Sequence, residues 1–477
     1  MSEVSENIFS YISSLYGDYA AKEFSEFLKQ EYSLYIRVNR LKADKLKLIN
    51  NLKKTYSIEA EEIQSIPFAL KLTCNADAAG KTLQHIIGEY YIQSLSSMIP
   101  PLILDPKPGE KVLDLCAAPG SKTTELGEIM NNDGTLIGNE IALDRVKMLV
   151  FNIDRMNLIN AGVTQSKGEM LSKIYSEHFD KVLVDAPCSG LGIVQKKGEV
   201  NDWWSKERAE RLGDVQLRLL IAAIKMVKPG GDIVYSTCTL TPEENEFIIN
   251  KVLKKYPVEI LDIDLPVKSQ EGFTKYDDQN LDQSISKSRR ILPWEVDSDG
   301  FFIVKLRKNG DTISPEIEIP KVKDLKILTH TSREIKNPLK NVFEEFGIPE
   351  ETAARFKYIL KNNDVFFFNK NWEDDYTGLF ERIGTKLGVV DKNGKIILHT
   401  QAAQVLQEDI SERIFEIENQ ADLRKYLDGG IIKTGSRLTG QCVIKFGEAI
   451  LGTAVVTGSG IKSRFPRAKR TQNILLS

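Results

Sequence analysis

Residues 111–130 read KVLDLCAAPGSKTTELGEIM, an apolar run followed by a turn and then a helical pattern. The run is typical of a short buried strand, and Pro119 and Gly120 mark the turn. The same alternation continues through GTLIGNE, LDRVKMLVFNIDRM, AGVTQ, FDKVLVDAP, a long helix at 206–227, GGDIVYSTCT and PEENEFIINKVLKKY. Alternating apolar strands and helices predict an α/β fold, a Rossmann-like doubly wound and mostly parallel sheet with helices on both faces.

Smaller elements precede this sheet. Residues 1–30 have helical spacing, and LYIRVNRLK predicts a strand that carries Arg37 and Arg40. We interpret them as a small α+β N-terminal region. Residues 88–104, GEYYIQSLSSMIPPLIL, then predict a helix that Pro100 and Pro101 stop.

The chain changes character after the strand DGFFIVKLRK, which we expect to be antiparallel and at or near the edge of the sheet. A Pro-containing polar linker at 311–324 leads to a helical pattern over 337–360. Short β-rich runs follow, and their DKNG and KFGEA turns are typical of hairpins. The sequence therefore predicts a separate small C-terminal domain with a β-barrel or sandwich core.

The composition is that of a multidomain globular protein. A chain of 477 residues, 42% hydrophobic and 27% charged, is long enough for about two or three domains and has no run that would span a membrane. The polar, acidic N-terminus is unlike a signal peptide. Five scattered cysteines and four histidines fit neither a disulfide framework nor a metal site. We expect a cytoplasmic protein, monomeric, with no metal and no membrane association.

Charge is distributed unevenly along the chain. The net charge of −3 argues against wholesale coating of nucleic acid, yet no acidic residue follows Ala449. The tail segment IKSRFPRAKR, with Phe465 inside it, is a candidate RNA-binding surface because cations can bind phosphates while a ring stacks on a base. A solvated basic tail explains the segment equally well. The candidate RNA-binding residues are Lys462, Arg464, Arg467, Lys469 and Arg470.

The turn after the first strand of the sheet is a candidate ligand site. Doubly wound sheets bind ligands at the carboxyl ends of their strands, where Gly120 allows close approach of the backbone and the next helix offers free N–H groups. Glu140 ends the following strand, where its carboxylate can accept bonds from ribose hydroxyls. These residues predict a nucleoside cofactor. A tight turn with a surface glutamate is the alternative.

Two cysteines are predicted at the same mouth of the sheet. Cys188 follows the strand FDKVLVDAP, Cys238 closes the next strand, and Asp185 precedes the first cysteine. One strand-end cysteine is more often packing than chemistry. A pair beside a nucleoside cofactor suits methylation of cytosine, in which a thiolate adds to carbon 6, activates carbon 5 towards a sulfonium methyl donor, and is later eliminated.

The sequence resembles the NOP/Sun (NSUN) family of S-adenosylmethionine-dependent RNA cytosine-5 methyltransferases, close to the bacterial 16S rRNA branch with a C-terminal PUA-like domain. The resemblance covers nearly the whole chain and a class I methyltransferase fold is implied. It rests on these blocks, in order: RVN, GEYYIQSLSS, LDLCAAPGSKT, NE, VLVDAPCSGLG, YSTCTLTPEENE and RILPWEVDSDGFF.

The resemblance also implies roles for single residues. Cys238 would be the nucleophile, Cys188 would assist release, and Asp185 would lie beside both the cofactor and the target base. Glu140 would hold the ribose. The remaining residues implied to bind the cofactor are Cys116, Ala117, Ala118, Pro119, Gly120, Ser121, Lys122 and Arg145.

The family pattern also divides the chain and indicates a substrate. Residues 1–78 would be an RNA-contacting region, 79–308 the catalytic domain, and 309–477 a linker with a PUA-like RNA-binding domain. The expected reaction is methylation of a cytidine in small-subunit rRNA, with S-adenosylmethionine as cofactor and RNA as partner. A tRNA substrate is the first alternative, and a non-catalytic ribosome-assembly factor is the second.

Two departures from the family pattern stand near the cofactor. The family has an aspartate beside the adenine, where this chain has Lys167 or Gly168, and Glu169 is the nearest carboxylate. Gly120–Ser121 replaces a more usual Gly-Gly. DNA cytosine-5 methyltransferases also have a Pro-Cys after the corresponding strand, but there that cysteine is the nucleophile, and the STC block argues against them.

Overall fold

The structure, a computed structural model, describes residues 4–312, 323–435, 438–470 and 473–476. Most of the predicted polar linker, residues 313–322, lies outside the described residues. Among the helices that are described, none combines the length and the apolar surface that crossing a bilayer requires.

The N-terminal region contains helices packed around a small antiparallel sheet with strand order β2-β3-β1-β4. Its elements are α1 (Glu6–Tyr16), α2 (Asp18–Lys29), β1 (Leu34–Val38), α3 (Lys45–Tyr56), β2 (Glu59–Glu62), β3 (Ala69–Cys74), α4 (Leu83–Ile87), β4 (Tyr90–Ile92) and α5 (Ile99–Leu104). The helical spacing of residues 1–30 and the strand with Arg37 are therefore confirmed.

The single helix expected over residues 88–104 is wrong. Residues 90–92 form β4, and α5 begins at Ile99 with Pro100 and Pro101 in its first turn. Proline is tolerated there because the first N–H groups of a helix have no intrahelical partner. The two prolines start a helix rather than stop one.

The central sheet is doubly wound, as predicted, but it is mixed rather than mostly parallel, with a parallel centre and antiparallel strands on both sides. Its elements are β5 (Lys111–Asp114), α6 (Ser121–Ile129), β6 (Thr135–Asn139), α7 (Leu143–Arg155), β7 (Ala161–Thr164), α8 (Gly168–Ile174), β8 (Phe179–Asp185), α9 (Val200–Trp203), α10 (Lys206–Met226), β9 (Val227–Thr237), α11 (Glu246–Leu253), β10 (Val258–Leu261), β11 (Gln270–Glu271), β12 (Lys275–Tyr276), β13 (Gln279–Asn280), β14 (Arg289–Ile291), α12 (Pro293–Val296) and β15 (Phe301–Lys308). The β12–β13 hairpin stands apart from the sheet.

The strand order brings the predicted motifs to one edge. It runs β11-β14-β15-β9-β8-β5-β6-β7, and β5, β6, β7, β8 and β9 are parallel. After β7 the chain returns to the other side of β5 to form β8, so the direction of winding reverses between β5 and β8. A crevice opens at such a reversal, outside the carboxyl ends of the strands. The strand β15 is antiparallel to β9, as expected.

The C-terminal region contains two five-stranded sheets. Its elements are β16 (Ile327–Leu328), α13 (Lys336–Glu345), β17 (Phe356–Lys361), β18 (Asp364–Asn369), β19 (Phe380–Ile383), β20 (Thr385–Val390), β21 (Ile396–Leu398), α14 (Thr400–Val405), β22 (Ile414–Glu416), α15 (Gln420–Leu427), β23 (Ile431–Ile432), β24 (Gln441–Phe446), β25 (Ala449–Thr457), β26 (Gly460–Ser463) and α16 (Arg467–Arg470).

Both predicted hairpins are present as β20–β21 and β24–β25. The helical pattern over 337–360 is only partly correct, because α13 ends at Glu345 and β17 begins at Phe356. Residues 356–361 pair along their whole length with β18. Pairing with a neighbouring strand thus overrides the local helical spacing.

One strand corrects the expectation that the C-terminal domain is separate. β19 pairs with β7 and extends the central sheet, so its edge strand comes from the C-terminal region. A side chain at Gly162 of β7 would lie 2.6 Å from the ring of Phe380, so the glycine permits this approach. β19 thus replaces β7 as the edge strand of the sheet.

Candidate active site

A cavity of about 850 Å³ opens at the carboxyl ends of β5, β6, β8 and β9. This volume is within the usual range for ligand sites. Of the residues predicted to act in catalysis or to bind the cofactor, Ala117 and Gly120 are not in its wall. The predicted residues that line it are Cys116, Ala118, Pro119, Ser121, Lys122, Glu140, Arg145, Asp185, Cys188 and Cys238.

The two cysteines predicted to work together are in contact. β8 and β9 are parallel neighbours, with Asp185 opposite Ser236, and each cysteine follows the end of its strand. The sulfur atoms of Cys188 and Cys238 lie 2.9 Å apart, and both thiols are free. The hydrogen bond with Cys238, together with burial, raises the pKa of Cys188 well above its ordinary value. Cys188 is therefore a protonated thiol at neutral pH.

Asp185 is paired with a cation inside the cavity. Its Oδ2 lies 2.7 Å from the Nζ of Lys122, and its Oδ1 accepts a hydrogen bond from the Ser236 hydroxyl at 2.8 Å. Burial alone lowers the pKa of Lys122, but Asp185, helped by Cys238, outweighs it and raises that pKa. Lys122 thus stays charged and ion-paired with Asp185.

Glu140 is held rigidly at the end of β6. Its Oε1 accepts hydrogen bonds from the backbone N–H groups of Ile141 (2.9 Å) and Ala142 (3.1 Å). Its Oε2 lies 3.1 Å from Arg145 Nη1, and Arg145 also donates to the carbonyl of Ala118. The carboxylate is almost fully buried yet lines the cavity. This position suits an acceptor for ligand hydroxyls.

Gly120 lies where two helices approach each other, and its predicted contact with the cofactor stays a prediction. It precedes α6 with φ +109°, and a side chain there would lie 3.1 Å from the methyl of Leu149 on α7. Its role is to let α6 and α7 pack closely, because the left-handed conformation and the narrow space both exclude larger residues. Ala117 is likewise structural, with its N–H donating to the Asn139 carbonyl at 2.8 Å.

With this site defined, three comparisons identify its relatives. A sequence model of the family described as 16S rRNA methyltransferase RsmB/F matches residues 101–307. A ribosomal RNA small subunit methyltransferase F from Aliivibrio salmonicida is 30% identical over 461 residues, which cover 93% of each chain. The chain belongs to the RsmB/F methyltransferase family.

Two archaeal proteins extend the family relationship. The tRNA (cytosine(49)-C(5))-methyltransferase of Pyrococcus abyssi is 35% identical over 294 residues, 60% of this chain and 92% of that protein. The crystal structure of a methyltransferase homolog from Pyrococcus horikoshii is 32% identical and matches 63% of this chain and 93% of that one, with a TM-score of 0.56. The resemblance and the class I methyltransferase fold are confirmed, whereas a PUA-like C-terminal domain stays a prediction.

The departures from the RsmB/F family pattern lie along the cavity wall. Lys167, Gly168 and Glu169 all line it where an aspartate was expected. The half-exposed Glu169 carboxylate is 3.1 Å from Arg218 Nε on α10. The nearest carboxylate is therefore already ion-paired.

The basic tail of this RsmB/F family member differs from the prediction. Lys462, Arg464 and Arg467 are exposed, but Phe465 is buried against Tyr426 and offers no face for stacking. Lys469 is only 2% exposed, donates to the Ile86 carbonyl at 3.1 Å, and has a pKa that burial lowers to about 8.

Arg470, half-buried, donates to the Phe465 carbonyl at 2.9 Å. The prediction that Lys469 contacts RNA is therefore wrong, because its aliphatic stem and the Phe465 ring are both buried in the protein. None of the five predicted cations lines the cavity.

Glu244, which sequence reasoning missed, connects the two cysteine loops. Its Oε1 accepts from the Ser189 N–H and from Gln216 Nε2, both at 2.8 Å. Its Oε2 accepts from the Ser189 hydroxyl and, at 2.7 Å, from Thr241. Ser189 follows Cys188 and Thr241 lies shortly after Cys238, so one buried carboxylate fixes both loops. The PEENE block is weak evidence for such a role, because the exposed first turn of an ordinary helix has the same kind of sequence.

Arg37, which the sequence placed on a strand without a role, is the second supporting residue. It is fully buried and lies 2.9 Å from Glu128 on α6, with a further bond to Thr124. It joins the N-terminal sheet to the helix that follows the cofactor turn. Arg37 is therefore a buried structural residue, although it lies within the region that was expected to contact RNA.

Proposed function

We propose that this protein methylates carbon 5 of a cytidine in RNA, with small-subunit rRNA as the first substrate candidate, through a covalent bond between Cys238 and carbon 6. The observation that carries the proposal is the 2.9 Å contact of two free thiols beside the Asp185–Lys122 pair. Membership of the RsmB/F family supports it. The 93% coverage of a relative named for the small-subunit rRNA favours that substrate.

The cavity has suitable groups for S-adenosylmethionine. The buried Glu140 carboxylate would accept the ribose hydroxyls, and Cys116, Ala118, Pro119, Ser121 and Lys122 would surround the methionine part. The space of about 850 Å³ is large enough for a nucleoside and a target base together. When bound, the cofactor supplies an electrophilic methyl group.

Cys238 and its neighbours account for activation of the base. The sulfur of Cys238 adds to carbon 6 as its thiol proton passes to N3 of the base, so that the charge stays balanced. Asp185, within hydrogen-bond distance of both Lys122 and Ser236, is placed to hold a proton at N3 of the base. Carbon 5 then carries the electron density that accepts the methyl group.

Cys188 accounts for release. The hydrogen bond with Cys238 is the largest cause of the high pKa of Cys188, and it is weakened once the Cys238 sulfur is bound to carbon. Once the adduct has formed, Cys188 gives its thiol proton to solvent, and the resulting thiolate takes the proton from carbon 5. The electrons of that C–H bond re-form the 5,6 double bond, and Cys238 leaves as a thiolate.

The test incubates the purified protein with S-adenosylmethionine and either unmodified small ribosomal subunits or unmodified tRNA, and measures 5-methylcytidine by nucleoside mass spectrometry. We expect product in the subunit sample. Product in tRNA alone would keep the chemistry and overturn the substrate. Product in neither would contradict the proposal and favour a non-catalytic assembly factor.

A tRNA substrate is the second candidate, because the relative with 35% identity is named as a tRNA methyltransferase. That relative matches only 60% of this chain, so it has no counterpart for much of the remainder. We further propose that the exposed tail cations and the region after residue 309 bind the larger RNA. The boundaries 1–78, 79–308 and 309–477 remain our proposed division.

A further inference from the structure

One wall of the cavity takes no part in the chemistry proposed above. It is formed by the segment between the Cys188 loop and α10, which contributes Ile193, Lys196, Lys197, Val200 and Trp203. This wall segment, residues 190–208, faces the same space as the two thiols and the Asp185–Lys122 pair.

The wall segment is anchored to the catalytic loop. Gly192 N–H donates to the carbonyl of Cys238 itself at 3.0 Å, and Gln195 Nε2 donates to the Phe27 carbonyl at the end of α2. Leu191 and Trp204 are buried with residues of α1 and α2 in one apolar cluster. The groups that this segment presents are therefore held at a set position relative to the nucleophile.

Two cations on this wall have no acidic partner. Lys122, Arg145 and Arg218, which also line the cavity, each lie within 3.1 Å of a carboxylate. Lys196 and Lys197 are exposed, and among the described residues no carboxylate oxygen comes within 4.0 Å of either. Lys196 does lie over the Tyr32 ring, 5.8 Å from its centre, but lysines without a carboxylate partner at the rim of a site for RNA are suited to bind phosphates.

Adjacent tryptophans on the wall have different environments. Trp204 is buried, and its indole N–H donates to Ser189 at 3.2 Å, so its role is structural. Trp203 is half-buried, lines the cavity, and has the Arg208 guanidinium 4.1 Å from its ring centre. An aromatic ring beside cations is a usual platform on which proteins stack an unpaired base.

We propose that the wall segment is a strand-binding site for the RNA immediately beside the target cytidine. Trp203 stacks on a neighbouring base, and Lys196 and Lys197 bind the flanking phosphates. The inference rests on the proposed function, since it requires RNA to enter this cavity. It adds a contact surface within the cavity that is distinct from the C-terminal tail.

The charge test compares two double variants. K196Q/K197Q removes the wall cations, and K254Q/K255Q removes an equally exposed lysine pair at the end of α11, near the opposite edge of the sheet. Each is made in a Cys238→Ala chain so that binding stays noncovalent. Filter binding to unmodified small-subunit rRNA and tRNA transcripts is measured over a salt series.

We expect K196Q/K197Q to weaken binding by about tenfold and to reduce the salt slope by about 1.5, as for loss of two phosphate contacts. K254Q/K255Q should match its parent. Equal affinities and equal slopes for the two double variants would overturn the phosphate contacts.

The stacking test uses Trp203→Ala and Trp203→Phe in the same background. Loss of one stacked base should weaken binding by about 10- to 100-fold without changing the salt slope, and phenylalanine should restore most of it. Unchanged thermal unfolding excludes a folding defect. Binding that is the same for alanine and the parent would overturn the stacking role.

These binding measurements do not depend on methyl transfer. If the wild-type protein makes no 5-methylcytidine while the wall variants lose affinity for RNA, the strand-binding role of the wall segment is supported and the proposed methylation is contradicted. If methylation occurs and the wall variants bind RNA and turn over as the wild type does, the strand-binding role is contradicted and the proposed methylation is supported.

Discussion

The mouth of the sheet and the basic tail were both conspicuous in the sequence, and the structure treats them differently. At the mouth, Cys188 and Cys238 come from separate strands and still meet at 2.9 Å. In the tail, neighbouring residues separate, with Arg467 in solvent and Lys469 buried. The comparison teaches that sheet topology determines where strand ends lie, while a short tail takes its arrangement from whatever surface it packs on.

The largest effect should come from the mouth itself. Cys238→Ala is expected to reduce turnover by more than about 10³-fold, as loss of a nucleophile does. Cys188→Ala should instead accumulate a covalent protein–RNA adduct, visible as a slower band on a denaturing gel. If Cys188→Ala abolishes turnover while Cys238→Ala retains it, the cysteine roles are those of DNA methyltransferases and our assignment is wrong.

Substitution of Glu244 tests whether catalysis depends on the buried carboxylate that connects the two cysteine loops. Because the carboxylate accepts bonds from both cysteine loops, Glu244→Ala should lower kcat by about 10- to 100-fold with little change in KM for RNA. Glu244→Gln keeps one acceptor oxygen and should restore part of kcat. A rise in KM with kcat unchanged, or no difference between alanine and glutamine, would contradict this positioning role.

Two complementary variants separate the structural role of the buried tail lysine from the RNA-binding role of the exposed tail arginines. Lys469→Ala should lower the free energy of unfolding by about 1–3 kcal/mol, since it removes a buried stem and a hydrogen bond, and leave the salt dependence of RNA binding unchanged. R464Q/R467Q should do the reverse, weakening RNA binding and reducing the salt slope by about 1.5 at unchanged stability. Chemical denaturation and filter binding measure the two quantities, and identical behaviour of both variants would erase the distinction.

A smaller effect concerns pH. Burial raises the pKa of Asp114 to about 7, from 3.8 in the unfolded chain, and its Oδ1 has no partner among the described residues. The unfolded chain therefore loses this proton first, and the contribution of Asp114 to stability is lost as pH rises towards 7. Asp114→Asn lacks that loss, so its stability relative to the wild type should increase between pH 4 and pH 8. A pH-independent difference in denaturant midpoints would contradict the buried, protonated state.

The sequence predicted what depends on chain periodicity. Alternating apolar strands and helices indicated the doubly wound sheet, and strand ends in such a sheet share one edge, so Glu140, Asp185 and both cysteines could be placed there together. Pro100 and Pro101 show the limit, because the same residue stops a helix from within and starts one in its first turn.

The sequence by itself determined the alternation of strands and helices along the central region, the residues that follow each strand and, through its motif blocks, the family. Only the tertiary structure decided that β19 completes the central sheet and that Glu244 links the cysteine loops. It also decided that Lys469 and Trp204 are buried, whereas Arg467 is exposed and Trp203 lines the cavity. The physical reason is separation along the chain. Periodicity shows which face of its own helix or strand a residue lies on, whereas burial and strand pairing depend on partners that are distant in the sequence.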